Sequence, residues 1–153
     1  MFDKDEKLFL GIMFIILFCL AFTIGGMTAR AEEIIDYNKL LDAISVVESN
    51  NRDDAVGDNG KAIGRYQIWP SYVDDVNRLI GDQRYSYEDR KDAGCSKIMV
   101  LVYLQHYGAR YSRLTGKPVT YEVLARIHNG GPNGYKKSAT LKYWRKVQVH
   151  LLE

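Results

Sequence analysis

The sequence predicts an α+β domain, mostly helical, with one small β or loop element, set behind an N-terminal apolar segment. Three observations predict it. Apolar residues recur at helical spacing in five stretches after residue 36. Gly57, Gly60 and Gly64 punctuate an Asp- and Asn-rich stretch between Arg52 and Arg65, which reads as a loop or a small hairpin. Leu8 to Met27 is an uncharged run of twenty residues.

That run comes first. Lys4 and Lys7 precede it, and Ala29-Arg30-Ala31 after it has the small-residue pattern of a cleavage site. Two readings stay open. A signal peptide would be removed, leaving a chain from Glu32. An uncleaved segment over residues 8–27 is long enough to anchor the protein in a bilayer. Both export the rest of the chain, and the organisation expected is 1–31 signal peptide or membrane anchor and 32–153 a single catalytic domain. The expected location is secreted, or periplasmic and cell-envelope.

The first predicted helix covers Tyr37 to Ser49, with Asp36 as its N-cap and Leu40, Leu41, Ile44 and Val47 on one face. Tyr66 to Trp69 forms a short strand or turn before Pro70. Ser71 to Ile80 is helical, with Val73, Val76, Leu79 and Ile80 inward and Gly81 ending it. Asp92 to Leu114 is a long helix, apolar nearly all round in its middle, which predicts the buried centre of the domain. Thr120 to His128 is a short helix stopped by Asn129-Gly130-Gly131-Pro132. The last runs from Ala139 to Leu151 and presents Leu141, Trp144, Val147 and Leu151.

Composition narrows the function. The chain is 46% hydrophobic and 26% charged, as a globular domain is, and its net charge of +2 is too small to argue for nucleic acid. Of the two cysteines, Cys19 lies in the export segment, so Cys95 has no partner within the domain and reads as a small buried helix residue. The three histidines, His106, His128 and His150, lack metal-ligand spacing, so no metal and no cofactor is expected.

Glu48 is the candidate acid. It follows Ile44 by one helical turn, so it shares an apolar face and sits at the end of its helix. Burial and the negative helix end both favour a carboxyl that keeps its proton, which a general acid for a departing sugar oxygen requires. Asp58, ten residues on in Val56-Gly57-Asp58-Asn59-Gly60, is the candidate second carboxylate that glycosidases use as nucleophile or base. Asp53 and Asp54 compete with it on chemistry alone. Tyr66, Trp69 and Tyr72 are candidates for a sugar-stacking wall, Gln67 for bonding hydroxyl or N-acetyl groups, and Asn129 to Gly131 for backbone approach to a substrate. His128, beside them, is a base, a ligand or a structural residue.

Two segments together are specific: Glu48-Ser49 with Ala55-Val56-Gly57-Asp58-Asn59-Gly60 through Gly64-Arg65-Tyr66-Gln67-Ile68, and Ala125-Arg126-Ile127-His128-Asn129-Gly130-Gly131-Pro132-Asn133-Gly134 with Leu141-Lys142-Tyr143-Trp144. The second resembles the C-terminal signature of the invertebrate-type (destabilase) lysozymes. The first is similar both to that family and to the soluble lytic transglycosylases. The resemblance spans residues 38 to 150. It implies a lysozyme-like fold and cleavage of the β-1,4 bond between N-acetylmuramic acid and N-acetylglucosamine in peptidoglycan. It further implies Glu48 as general acid, Asp58 as second carboxylate, and Tyr66, Gln67, His128, Asn129 and Gly130 as substrate-binding positions. The expected partner is the peptidoglycan glycan strand, met by a monomer, with no nucleic acid and with membrane contact only through an uncleaved N-terminal segment. Transglycosylases work with one Glu and give 1,6-anhydro ends, so Asp58 favours hydrolysis. A non-catalytic glycan-binding module is the reading from outside the enzymes. The sequence departs from the invertebrate-type pattern in lacking that family's many disulfides.

Overall fold

The computed structural model describes residues 34–152. The N-terminal apolar run, its cleavage site and Cys19 lie outside the described residues. Helix α1 is Tyr37–Ser49. The Asp36 carboxylate caps it by accepting from the Asn38 and Lys39 amides at 2.9 and 3.2 Å, which satisfies two of the orphan donors at a helix start. Leu40, Leu41, Ala43 and Ile44 are its buried face. Asn50, left-handed at φ 56°, closes it.

The loop that follows is a minimal antiparallel hairpin. Strand β1 (Val56–Gly57) pairs with β2 (Ala62–Ile63), Val56 opposite Ile63 and Gly57 opposite Ala62. A further bridge joins Ile63 to Ile68, so the chain doubles back once more before Pro70. Helix α2 (Pro70–Ile80) starts with that proline, whose missing N–H costs nothing at a first helical position, and stops at Gly81. Val73 and Val76 are buried, while Leu79 and Ile80 are half-buried.

Helix α3 (Ala93–Thr115) crosses the middle of the domain. Met99, Val100, Tyr103, Leu104 and Tyr107 face inward. It is not apolar-buried all round: Ile98 is 50% exposed, because only one side of a helix meets the neighbouring layer. Cys95 is half-buried, not buried, since it lies in the first turn beside the capping Asp92. Burial still pushes its thiol pKa upward.

Helix α4 is Tyr121–Gly130 and α5 is Thr140–Leu151. The two pack on each other, with α1 against α5 and α3 against α4. On α5 the inward face is set by Thr140 and Val147, with Trp144 and Leu151 half-buried beside them. These positions fall at i, i+4, i+7 and i+11. Leu141 is one residue off that stripe and is 37% exposed, contrary to the sequence expectation. Thr140 takes the inward place because its hydroxyl donates to the Gly134 carbonyl at 2.8 Å. Among the described residues no helix is long and apolar enough to cross a membrane.

Candidate active site

The end of α1 supplies Glu48. Its side chain is 17% exposed and opens into a cleft of about 450 Å³. The adjoining Ser49 is buried and ties the helix end to the hairpin. Its hydroxyl donates to the Arg65 carbonyl at 2.9 Å and accepts from the Arg52 amide at 3.0 Å. The Glu-Ser pair therefore divides its labour: one side chain faces the cleft, and the other fastens the loop that forms the opposite wall.

Asp58 stands on that wall, at the tip of the hairpin, and lines the same cleft. Asp58 and Asn59 both hold left-handed backbone, φ 47° and 55°. Asp and Asn tolerate this region better than other side chains because they bond locally, so the turn is specified by residue type. The Trp69 indole N–H donates to Asp58 Oδ2 at 3.2 Å. Asp53 does not compete for the role. Arg65 grips it with two bonds, at 2.5 and 2.9 Å, and the guanidinium beside it holds its carboxyl below the usual range.

Gln67 also has a positive φ, 48°. Its amide nitrogen donates to the Ala55 and Gly64 carbonyls at 3.2 and 2.9 Å, which braces the hairpin base. A side chain at Gly57 would strike Gln67 Oε1, so glycine there makes room for the amide. Gln67 lines the cleft with its N–H groups already committed to the loop.

The last layer comes from α4. His128 is buried, with Nε2 3.2 Å from the Tyr66 carbonyl oxygen and 3.4 Å from Glu48 Oε1. A carbonyl only accepts, so Nε2 carries the hydrogen. Asn129 and Gly131 continue the wall, and Ser71, Tyr72 and Tyr103 complete it from α2 and α3. Tyr72 stacks on Tyr103, centroids 3.8 Å apart. Burial pushes the Tyr72 phenol well above its ordinary pKa, helped by Tyr103, Asp75 and Glu48. Burial does the same for Tyr143, where the Glu48 charge is the next cause. Tyr72 Oη and His128 Nδ1 are buried without a hydrogen-bond partner among the described residues.

Glu48, Asp58, Gln67, His128 and Asn129 are thus brought to one cleft. Two expected positions are not. Tyr66 is 1% exposed and belongs to the core. Its ring cannot stack on a sugar, and only its carbonyl reaches the site, through His128. Gly130, the last residue of α4, does not line the cleft, because it faces the start of α5 instead. A side chain there would meet Thr140 Cγ2 at 2.6 Å, and its carbonyl accepts from Lys137 Nζ at 2.7 Å. The chain turns toward the cleft one residue later, at Gly131, φ 79°. Ser71 and Tyr103 line the cleft without any sequence expectation. A tyrosine inside the otherwise apolar stretch of α3 was the available signal for Tyr103. Among the described residues no group of His, Cys, Asp or Glu side chains is placed to hold a metal.

The Destabilase family model matches residues 37–149. The chain belongs to the destabilase family. This destabilase domain is 38% identical over 91 residues to Lysozyme 1 of Crassostrea virginica, covering 60% of this chain and 46% of that protein. It is 36% identical over 90 residues to invertebrate-type lysozyme 6 of Caenorhabditis elegans, covering 56% and 64%. The matched region spans about half or less of the length of the first three curated relatives. Among solved structures, the inhibitor-bound lysozyme from Meretrix lusoria superposes with a TM-score of 0.60 at 31% identity, over 72% of this chain and 87% of that one. The Tapes japonica lysozyme also gives 0.60, at 32% identity over 72% and 86%. The destabilase fold here is therefore lysozyme-like.

Proposed function

We propose that this destabilase domain is a muramidase, hydrolysing the β-1,4 bond between N-acetylmuramic acid and N-acetylglucosamine in peptidoglycan strands. One observation carries the reading: Glu48, largely buried at a helix end, and Asp58, exposed on a hairpin tip, open into one cleft from two separate elements. Glycoside hydrolysis needs that asymmetry. Glu48 delivers a proton to the leaving oxygen. Asp58 stabilises the positive charge growing on the sugar ring, as nucleophile or through a water. Trp69 offers apolar surface to a sugar ring, and Asn129 and Gly131 offer polar and backbone groups to its substituents. The names of the relatives support the substrate class.

The domain acts as a monomer on the glycan strand, outside the cytoplasm, carried there by the apolar segment of residues 8–27, whether that segment is cleaved or retained as an anchor.

Mass spectrometry of digested cell wall tests the reaction. Reducing muramic acid ends are expected. Exclusively 1,6-anhydro ends would replace hydrolysis by transglycosylation, a one-carboxylate reaction. Glu48→Gln keeps the side chain's shape and removes the acid, and a loss of roughly 10² to 10⁴ in turnover is expected. Undiminished lysis by that variant would leave only a glycan-binding module.

A further inference from the structure

Trp69 is 42% exposed, a large apolar side chain held in water at the mouth of the cleft. Its backbone is also constrained on both sides. Pro70 after it favours extended backbone, and Trp69 adopts φ −87° and ψ 156°. Ile68 before it is bridged to Ile63. From this pinned position its indole N–H reaches back eleven residues to Asp58 Oδ2 at 3.2 Å. The Lys61 ammonium, from the same hairpin, stands over the indole ring at 5.5 Å from its centroid.

We propose that Trp69 is a positioning residue for Asp58, and that Lys61 strengthens its action through the ring. This rests on the muramidase reading, in which Asp58 is the second carboxylate. The physical case has three steps. Asp58 sits at an exposed hairpin tip, where a carboxylate on a free rotor would sample several orientations. A hydrogen bond from a rigid donor on a separate element selects one of them, engaging Oδ2 and leaving Oδ1 as the oxygen directed to the substrate. The cation over the ring face draws on the same π electrons and polarises the N–H into a better donor to an anion. A phenylalanine would supply the same apolar surface to a sugar and no such bond, which separates positioning from stacking.

The test has a kinetic arm and a spectroscopic one. Trp69→Phe is expected to lower kcat about tenfold while KM changes less than twofold, since misaligning a reacting group costs turnover more than binding. Lys61→Met is expected to lower kcat by a smaller factor with KM again unchanged. A Trp69→Phe variant with unchanged kcat, or with its whole loss in KM, overturns the proposal in favour of a stacking residue. The spectroscopic arm uses the full chain and does not depend on activity. The protein has two tryptophans, so its ¹⁵N correlation spectrum carries two indole N–H signals. Asp58→Ala is expected to move the one that Trp69→Phe abolishes upfield and leave the Trp144 signal in place. An unmoved signal denies the bond and overturns the proposal even if Trp69→Phe misfolds. The two readings fail separately: full activity in Asp58→Ala removes the second carboxylate from the reaction, whatever the indole spectrum shows.

Discussion

His128 stands between two oxygens: its Nε2 hydrogen-bonds the Tyr66 carbonyl at 3.2 Å and lies 3.4 Å from Glu48 Oε1, in contact with it but aimed at the carbonyl. The first contact fixes the imidazole, and the fixed imidazole then confines the carboxyl. The histidine thus joins α4, the segment after the hairpin, and the end of α1 at the point where the acid sits. Because it is buried, it acts on substrate through Glu48. His128→Ala is expected to destabilise the domain by about 1–3 kcal/mol, the cost of a buried carbonyl losing its donor, and to lower kcat about tenfold. His128→Gln, which keeps an N–H donor, should recover more of the stability than of the turnover. Thermal midpoints and kcat measured on both variants check this, and an alanine variant with normal kcat would separate His128 from Glu48.

Arg90 is a buried cation that ties the hairpin to the segment before α3 through backbone carbonyls. Its guanidinium donates to the Tyr87 carbonyl at 2.6 Å, to Lys61 at 3.0 Å and to Ile68 at 3.1 Å. Burial lowers its pKa, so removal from water opposes the charge that these carbonyls support. Arg90→Met would leave three carbonyls unserved, and a loss of about 2–4 kcal/mol is expected. Arg90→Lys should recover little, since a point charge cannot spread its donors over three separated oxygens as a planar fork does. Chemical denaturation measures both.

Much of this was legible in the sequence because it is encoded locally. Asp36 caps its helix as read, Asp92 and Thr120 mark the starts of theirs to within one residue by standing as caps, and the period of Leu40, Leu41 and Ile44 gives the face on which Glu48 lies one turn later. What local patterns do not encode is which way a loop aromatic turns. Tyr66 and Trp69 are three residues apart in one segment, yet one is core and the other is in the cleft. The bridge between Ile63 and Ile68 decides that, and no spacing announces it. The end of α4 was misplaced by two residues because Asn129-Gly130 reads as a stop, while close packing against Thr140 lets the helix continue through a glycine. Arg90 was illegible for a third reason. A charged residue is expected outside, and it is the meeting of the distant Lys61 and Ile68 carbonyls with the nearby Tyr87 carbonyl that makes an interior position tolerable.

Gly64 lies under the hairpin with φ 79°, and a Cβ there would collide with the Arg90 carbonyl oxygen. Neither atom belongs to a flexible side chain, so the clash cannot be relieved by a rotamer change. Gly60 has a similar φ, 86°, but faces open space. Gly64→Ala is therefore expected to cost more than about 3 kcal/mol, combining strain and overpacking. Gly60→Ala should cost about 1 kcal/mol from backbone strain alone. Equal losses in the two variants would show that the Arg90 contact yields easily.

Asp53 gives the fold a share of its acid sensitivity. Arg65 bonds it through both carboxylate oxygens and holds its pKa below the ordinary value. A depressed folded pKa contributes stability that is present above the unfolded value, about 3.9, and is lost as pH falls through the folded one. The pair is partly exposed, so solvent screening limits its worth to at most about 1 kcal/mol. Asp53→Asn should lower the thermal midpoint slightly at pH 7. The gap between variant and parent should close as the pH drops below about 4, because the parent's carboxylate then becomes protonated too. Midpoints measured for both proteins between pH 7 and pH 2 check the sign, and a gap that widened toward low pH would assign the acid sensitivity to other groups.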